Sequence, residues 1–327
     1  MSDDQLGSEE FHFWNLSGTD RAPHLQGTIG EVFGSKWFVG GYNALEEIQR
    51  RVRLESMTQH MSEIHQWYRG LTLYFVAQYG AWDLSSSTIS EERLQARGVQ
   101  MDLLGLGLSS AKVAIDTLLT GYYSVAFATI RHMTETVLQC FYLEAFPERA
   151  FLWRDEPTPE NIKRMGAGRI REKLVKRVKS IKPESDRQPI TEYIEGMFRS
   201  WELLSGGSHP SGSGLAQVVW PESDDMRQVG GTYERYMTLV GFDHGFFAMQ
   251  GLIEQFEYSN RVNEEWRQRF DYWQEEVADF RLGLKSDPAV QKFVAALEAS
   301  RKARADAAED CAGGDIPGNQ SSECPVL

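Results

Sequence analysis

Apolar residues recur at three- and four-residue steps through most of the chain. Leu45, Ile48, Val52, Met57, Met61, Ile64, Tyr68, Leu71 and Phe75 follow this spacing behind Asn43 and Glu46, a pair spaced as in a capping box. They predict a long amphipathic helix from Asn43 onward. The Ser/Thr-rich stretch Leu84–Ser90 predicts a turn, and Glu91 and Glu92 then stand where acids favour a helix start, with that helix running to about Gly105. The most apolar segment, Leu108 to Phe146, ends at Pro147 and carries Ala111, Ala114, Gly121, Ser124 and Ala128 among larger side chains. Small residues let neighbouring helices approach, so this segment is expected to form one long central helix.

A short helix is expected over Glu148–Asp155. After Pro157 and Pro159 comes a basic helix from about Glu160 to Ile181, stopping before Pro183. Ile190, Tyr193, Ile194, Met197, Phe198, Trp201 and Leu204 mark another amphipathic helix, which the Gly/Ser-rich run Ser205–Gly214 should terminate. The six apolar residues Leu215–Trp220 have no partner strand and read as a packed connector. Helices follow over Thr232–Tyr258 and Asn260–Leu284, and Asp287-Pro288 opens a last one to about Ala308. With no internal repeat and no strand-rich region, the expected fold is all-α: a single multi-helix bundle over residues 42–304 with a long central small-residue helix. An extended arm (residues 1–41) and a disordered tail (305–327) flank it.

Composition narrows the function classes. The chain of 327 residues carries a net charge of −13 with 25% charged and 41% hydrophobic residues, the profile of a globular protein. Its longest charge-free apolar run, Thr117–Ile130, is too short to span a bilayer, so no membrane association is expected. Cys140, Cys311 and Cys324 cannot build a disulfide framework, and the acidic start MSDDQLGSEE is unlike a signal peptide, so the expected location is the cytoplasm. Phosphate-binding, dinucleotide, zinc-protease and nucleophile-elbow motifs are all missing. His60 and His65 diverge by about 140° around a helix and cannot chelate from one face. No metal and no cofactor is expected.

Two features stand out. Arg131 and Glu135 lie one turn apart in the most apolar segment, either as a solvent-edge ion pair or as a buried pair held by other polar groups. His209 follows a predicted helix end beside glycines, a geometry that can present a histidine for acid–base work or simply solvate it. The run from Ala114 to Glu135, together with Leu203-Leu-Ser-Gly-Gly-Ser-His-Pro210, resembles a bacterial all-helical family of unknown function that is similar to HEPN-type domains. That family pairs a small-residue helix ending in Arg-x-x-x-Glu with a later Leu-Ser-x-x-x-His-Pro segment, and the likeness spans about Leu103 to Phe256. It implies that Arg131 and Glu135 meet Ser205 and His209 in the bundle interior, in a setting of defence or toxin–antitoxin functions. HEPN ribonucleases place an Arg four to six residues before their His. Here nine residues separate Arg199 from His209, and the one formal match, Arg53 to His60, is no more than chance supplies.

The second feature is charge segregation. Between Ile162 and Lys182 stand nine basic residues, Lys163, Arg164, Arg169, Arg171, Lys173, Lys176, Arg177, Lys179 and Lys182, against Glu172 alone. This local +8 on a chain of −13 leaves −21 for the other 306 residues. Ile170, Leu174, Val178 and Ile181 give the segment one packing side, so its basic side faces outward. Such a block is expected to meet RNA or an acidic protein, or to pair with the protein's own acids or a second subunit. Without interleaved aromatics it favours phosphate contact over base stacking. Three functions are compatible with the sequence: a regulatory or defence-associated binding protein, a metal-independent ribonuclease using His209 as base with Arg131 on the phosphate, and a scaffolding helical oligomer.

Overall fold

The computed structural model describes residues 36–80, 90–154, 158–181, 183–208, 233–257 and 262–288, together with 290, 291 and 295. The helices are α1 (Lys36–Gln59), α2 (Met61–Gly80), α3 (Glu91–Leu119), α4 (Tyr123–Ala145), α5 (Phe151–Arg154), α6 (Pro159–Arg164), α7 (Ala167–Ile181), α8 (Glu184–Ser208), α9 (Arg235–Glu257) and α10 (Glu264–Lys285), with a 3₁₀ turn at Pro147–Arg149. Among the described residues there is no strand, and the protein is all-α.

Local chemistry sets the boundaries. The Ser90 hydroxyl accepts from Arg93 N–H at the start of α3, and the Asn263 carboxamide accepts from Trp266 N–H at 2.8 Å at the start of α10. Asp287 does the same for Val290 N–H at 3.4 Å, where the expected last helix begins. Most of the rest of that helix, the connector Leu215–Trp220 and the C-terminal tail lie outside the described residues. α1 starts at Lys36, inside the stretch read as an arm; the isolated aromatics there obscure any helical period. α1 and α2 abut at His60, whose N–H bonds Ser56 C=O at the end of α1 and whose C=O takes the Ile64 N–H at the start of α2.

Three sequence expectations are corrected. The expected central helix is two helices, and the one predicted to end near Gly105 continues to Leu119. Gly121, at φ 75°, ends α3 in a Schellman motif: its N–H bonds Leu118 C=O, and Tyr122 N–H bonds Thr117 C=O at 2.9 Å. The chain then folds straight back as α4. The basic helix is also two, α6 and α7, parted at Met165-Gly166, where the Gly166 carbonyl takes the first bond of α7 from Ile170 N–H. Finally, α8 does not dissolve at Ser205 but holds helical geometry through Ser208.

α4 is the centre of the bundle, packed by α3, α7, α8 and α9, while α2 and α10 close the far side of α9. One continuous core joins them, and Ala111, Ala114, Ile115, Leu118, Ile130, Val137, Leu138 and Leu143 on α3 and α4 are sealed from solvent. Ala128, grouped with the small packing residues in the sequence, faces water instead. Three buried indoles fasten the helices: Trp67 donates to Ala111 C=O at 3.2 Å, Trp266 to Leu73 C=O at 3.0 Å and Trp273 to Gln66 C=O at 2.8 Å. A buried indole N–H left without an acceptor is costly, so each bond also fixes the register of its helix. Trp67 fits only because Gly245 on α9 has no side chain: a Cβ there would lie 2.3 Å from the indole ring.

Candidate functional site

Arg131 and Glu135 project from α4 toward α8. The Arg131 Nε lies 3.5 Å from a Glu135 carboxylate oxygen, and the two side chains are 26% and 25% exposed. The pair is therefore neither at the open solvent edge nor sealed. The Trp201 indole N–H on α8 donates to the same Glu135 oxygen, and the Arg131 guanidinium stacks 5.6 Å from the Trp201 ring centre. Arg131 Nε itself is buried without hydrogen-bond geometry to any acceptor. Ser205, one turn beyond Trp201, donates its hydroxyl back to Trp201 C=O at 2.7 Å.

Of the sequence-predicted quartet, Arg131 and Glu135 are paired along α4. Ser205 lies on α8 with its hydroxyl on its own helix backbone. His209 lies outside the described residues. Trp201, which appeared in the sequence only as an apolar helix position, is the residue that links the pair to α8. Its indole N–H, a polar handle on a core-facing ring, was the available signal. Chemically the cluster is a carboxylate neutralised by a cation and an N–H donor, an arrangement that locks two helices together.

A second polar system joins α8 to α9 and α10. Ser200 Oγ and His244 Nδ1 share a hydrogen bond at 2.8 Å, and Tyr193 donates to Glu254 at 2.8 Å, with Gln250 and Gln274 also on that carboxylate. Asp243 accepts from Arg281 at 2.6 Å, and Arg281 covers the Phe247 ring at 4.7 Å. Burial holds the His244 imidazole below its ordinary value, with Asp243 opposing that shift and Arg281 adding to it, so the surroundings favour the neutral ring. Sequence reasoning passed over His244, although an Asp-His pair in an apolar helix is itself a signal.

Of the two histidines judged unable to chelate together, His60 is buried and His65 exposed. His60 Nε2 shares a 3.0 Å bond with the Tyr233 hydroxyl, and its ring sits between Tyr233 and Phe242. Burial pushes the neighbouring Glu63 carboxyl up, but the His60 ring, 3.8 Å away, its own backbone N–H and the Arg235 charge together bring it below the usual range. Arg53, the formal partner of His60 in the HEPN spacing, turns away to Asp116 at 3.4 Å. Among the described residues no cluster of three His, Cys, Asp or Glu side chains could hold a metal ion, and no helix is long and apolar enough to cross a membrane.

The basic segment divides into two sets. Ile170, Leu174 and Val178 are buried as expected. Arg171 rests 4.5 Å from the centre of the Phe198 ring and 3.6 Å from Glu195, Lys173 lies over Tyr142 and donates to its hydroxyl at 3.2 Å, and Arg177 lies over Phe146. Arg164 pairs with Glu160. Arg171, Lys173 and Arg177 fasten α7 to α8 and to the C-terminal end of α4, while the Arg164 pair lies within α6. Lys163, Arg169, Lys176 and Lys179 are exposed and make no ion pair among the described residues. Arg169, Lys176 and Lys179 share the outward face of α7 across about 15 Å, at 1.5 Å per residue. Beside them Arg171, Glu172, Val175, Lys176, Lys179 and Glu195 line an open groove of about 310 Å³. The aromatic platform under the cations comes from α4 and α8, so it could not be seen within the basic segment itself.

Set against known proteins, the chain matches no family model, no curated sequence and no solved structure.

Proposed function

We propose that this is a cytoplasmic binding protein of regulatory or defence-associated type, which holds the phosphate backbone of RNA on the outward face of α6 and α7. The carrying observation is the division of the basic residues. Arg171, Lys173 and Arg177 are seated on Phe198, Tyr142 and Phe146, while Lys163, Arg169, Lys176 and Lys179 are exposed and make no ion pair among the described residues, on a chain whose remaining charge is strongly negative. Cations without internal partners on a rigid helix are preorganised for anions, and phosphates are the commonest macromolecular source of them. The resemblance to HEPN-type domains supports an RNA ligand. Among the described residues no aromatic ring stands exposed between these cations, so the contact is to backbone rather than to bases.

The ribonuclease alternative asks Arg131 to stabilise phosphate charge, whereas its guanidinium already serves Glu135 and Trp201, which favours a helix-locking role for the cluster. The test is co-purification. Protein from cells is expected to carry 260 nm absorbance that high salt strips away, and the Arg169→Glu/Lys176→Glu/Lys179→Glu variant is expected to emerge without it. Equal absorbance for both proteins, or binding of an acidic polypeptide in preference to RNA, overturns the reading.

A further inference from the structure

The outer face of α1 and α2 is apolar where a solvated helix would be charged. Leu54, Met61, Tyr68 and Phe75 stand seven residues apart and are 59%, 70%, 42% and 59% exposed. Thr58, His65, Thr72 and Tyr79, all exposed, fall between and after them, so the stripe advances by alternate steps of four and three. From Met61 to Tyr79 the exposed residues are Met61, Ser62, His65, Tyr68, Thr72, Phe75, Val76 and Tyr79, and none is an acid, lysine or arginine. Phe75 and Tyr79 stack on each other at 6.4 Å, still in the open.

A repeat of 3.5 residues is the geometry of a helix-on-helix seam, in which side chains of one helix insert between those of another. Its composition, rich in Tyr, Phe and Met and depleted of charge, is that of an interface centre. Ion pairs border it as a polar rim: Arg69 with Glu276 on one side, and Arg53 and Lys112 with Asp116 on the other. With roughly 200 Å² per large side chain, Leu54, Met57, Met61, Tyr68, Phe75, Val76 and Tyr79 expose on the order of 800 Å², about what each partner of a standard interface buries and more than the roughly 300–600 Å² of a typical monomer's largest patch.

We infer that this stripe is a two-fold interface with a second copy of the chain, α1–α2 packing on α1–α2. The occupant must be a helix carrying a matching repeat. Residues 1–35, with five glycines and Pro23, and the expected last helix to Ala308, with Arg301 and Arg304, carry large apolar residues through no more than one seven-residue step, whereas the stripe runs through three and is complementary to itself. In an antiparallel register centred between His65 and Tyr68, Leu54 faces the second copy's Tyr79, Thr58 faces its Phe75 and Met61 faces its Thr72. Most layers therefore pair a large side chain with a smaller one, and no like charges meet across the seam. Arg50, Arg51 and Arg53 then fall near the C-terminal end of the second copy's α2, where a helix favours cations.

Sedimentation and light scattering of the full chain at micromolar concentrations test this. Wild-type protein is expected at twice the chain mass of 37.2 kDa. Tyr68→Glu/Phe75→Glu, changed only on exposed positions, is expected at the single-chain mass with an unchanged helical signal. Should that variant lose its helical signal, Met61→Lys on the same stripe gives the same readout. A wild-type chain at single mass, whether its stripe is bare or covered by its own N-terminal residues, overturns the inference, as does a folded variant that stays at double mass.

Discussion

The Trp201 indole donates its only N–H to the Glu135 carboxylate, tying α8 to α4 at the point where Arg131 covers the same ring. Replacing Trp201 by Phe keeps an aromatic surface for Arg131 and removes the donor. A net hydrogen bond to a charged acceptor contributes about 1.5–3 kcal/mol, less where the acceptor is partly solvated. Trp201→Phe is expected to lower the urea midpoint by an amount equivalent to about 1–2 kcal/mol. Glu135→Gln, which retains an acceptor oxygen, is expected to cost less. An unchanged midpoint for Trp201→Phe contradicts the locking role.

The two glycine sites fail for different reasons and can be told apart. Gly121→Ala forces an L side chain into the left-handed region at φ 75° and is expected to cost about 1–2 kcal/mol, with the packing of α3 on α4 preserved. Gly245→Ala sets a methyl against the Trp67 ring and is expected to cost about 1–3 kcal/mol and to shift the Trp67 fluorescence, because the indole must move. Thermal melts with intrinsic fluorescence separate the two.

His244 predicts an acid-side loss of stability. Its folded-state value is held below the ordinary 6.5, mainly by burial, so the unfolded chain binds the proton more readily. The stability that depends on neutral His244 is complete above 6.5 and falls as the pH drops below it. Glu63 and Glu276, both held below 4.5, add a separate loss only beneath that value. Urea midpoints measured across this range are expected to decline below 6.5 for the wild type and to stay flat down to the carboxylate range for His244→Gln. A parallel decline in both proteins contradicts the assignment.

The cations divide by readout. Lys173→Glu loses the Tyr142 ring and hydroxyl and is expected to cost about 0.5–1 kcal/mol of stability. Lys176→Glu, exposed and unpaired among the described residues, is expected to leave the melting temperature within experimental error. Equal melting losses for the two variants would mean that both cations are structural.

Helix class and most helix positions were legible because apolar spacing survives in the sequence: Ile170, Leu174 and Val178, read as one packing side, are buried. Boundaries were harder where tertiary geometry decides them. Gly121 looked like one small residue among several, and only its positive φ makes it the end of α3. Ser205–Ser208 reads as a helix breaker, yet α8 continues through it. The candidate site was legible by charge and illegible by partner. Arg131 and Glu135 are neighbours by sequence, but Trp201 lies 66 residues from Glu135, and the rings under Arg171, Lys173 and Arg177 come from other helices.

The salt dependence of RNA binding tests the central claim most directly. With a labelled RNA hairpin followed by fluorescence anisotropy, contact through Lys163, Arg169, Lys176 and Lys179 predicts that log K falls against log salt with a slope of about −3, at roughly −0.7 to −0.9 per phosphate neutralised. Arg169→Glu/Lys176→Glu/Lys179→Glu is expected to flatten that slope to about −1 or abolish binding, with the melting temperature retained. A wild-type chain that does not bind the hairpin at low salt, or a triple variant with the wild-type slope, contradicts the account.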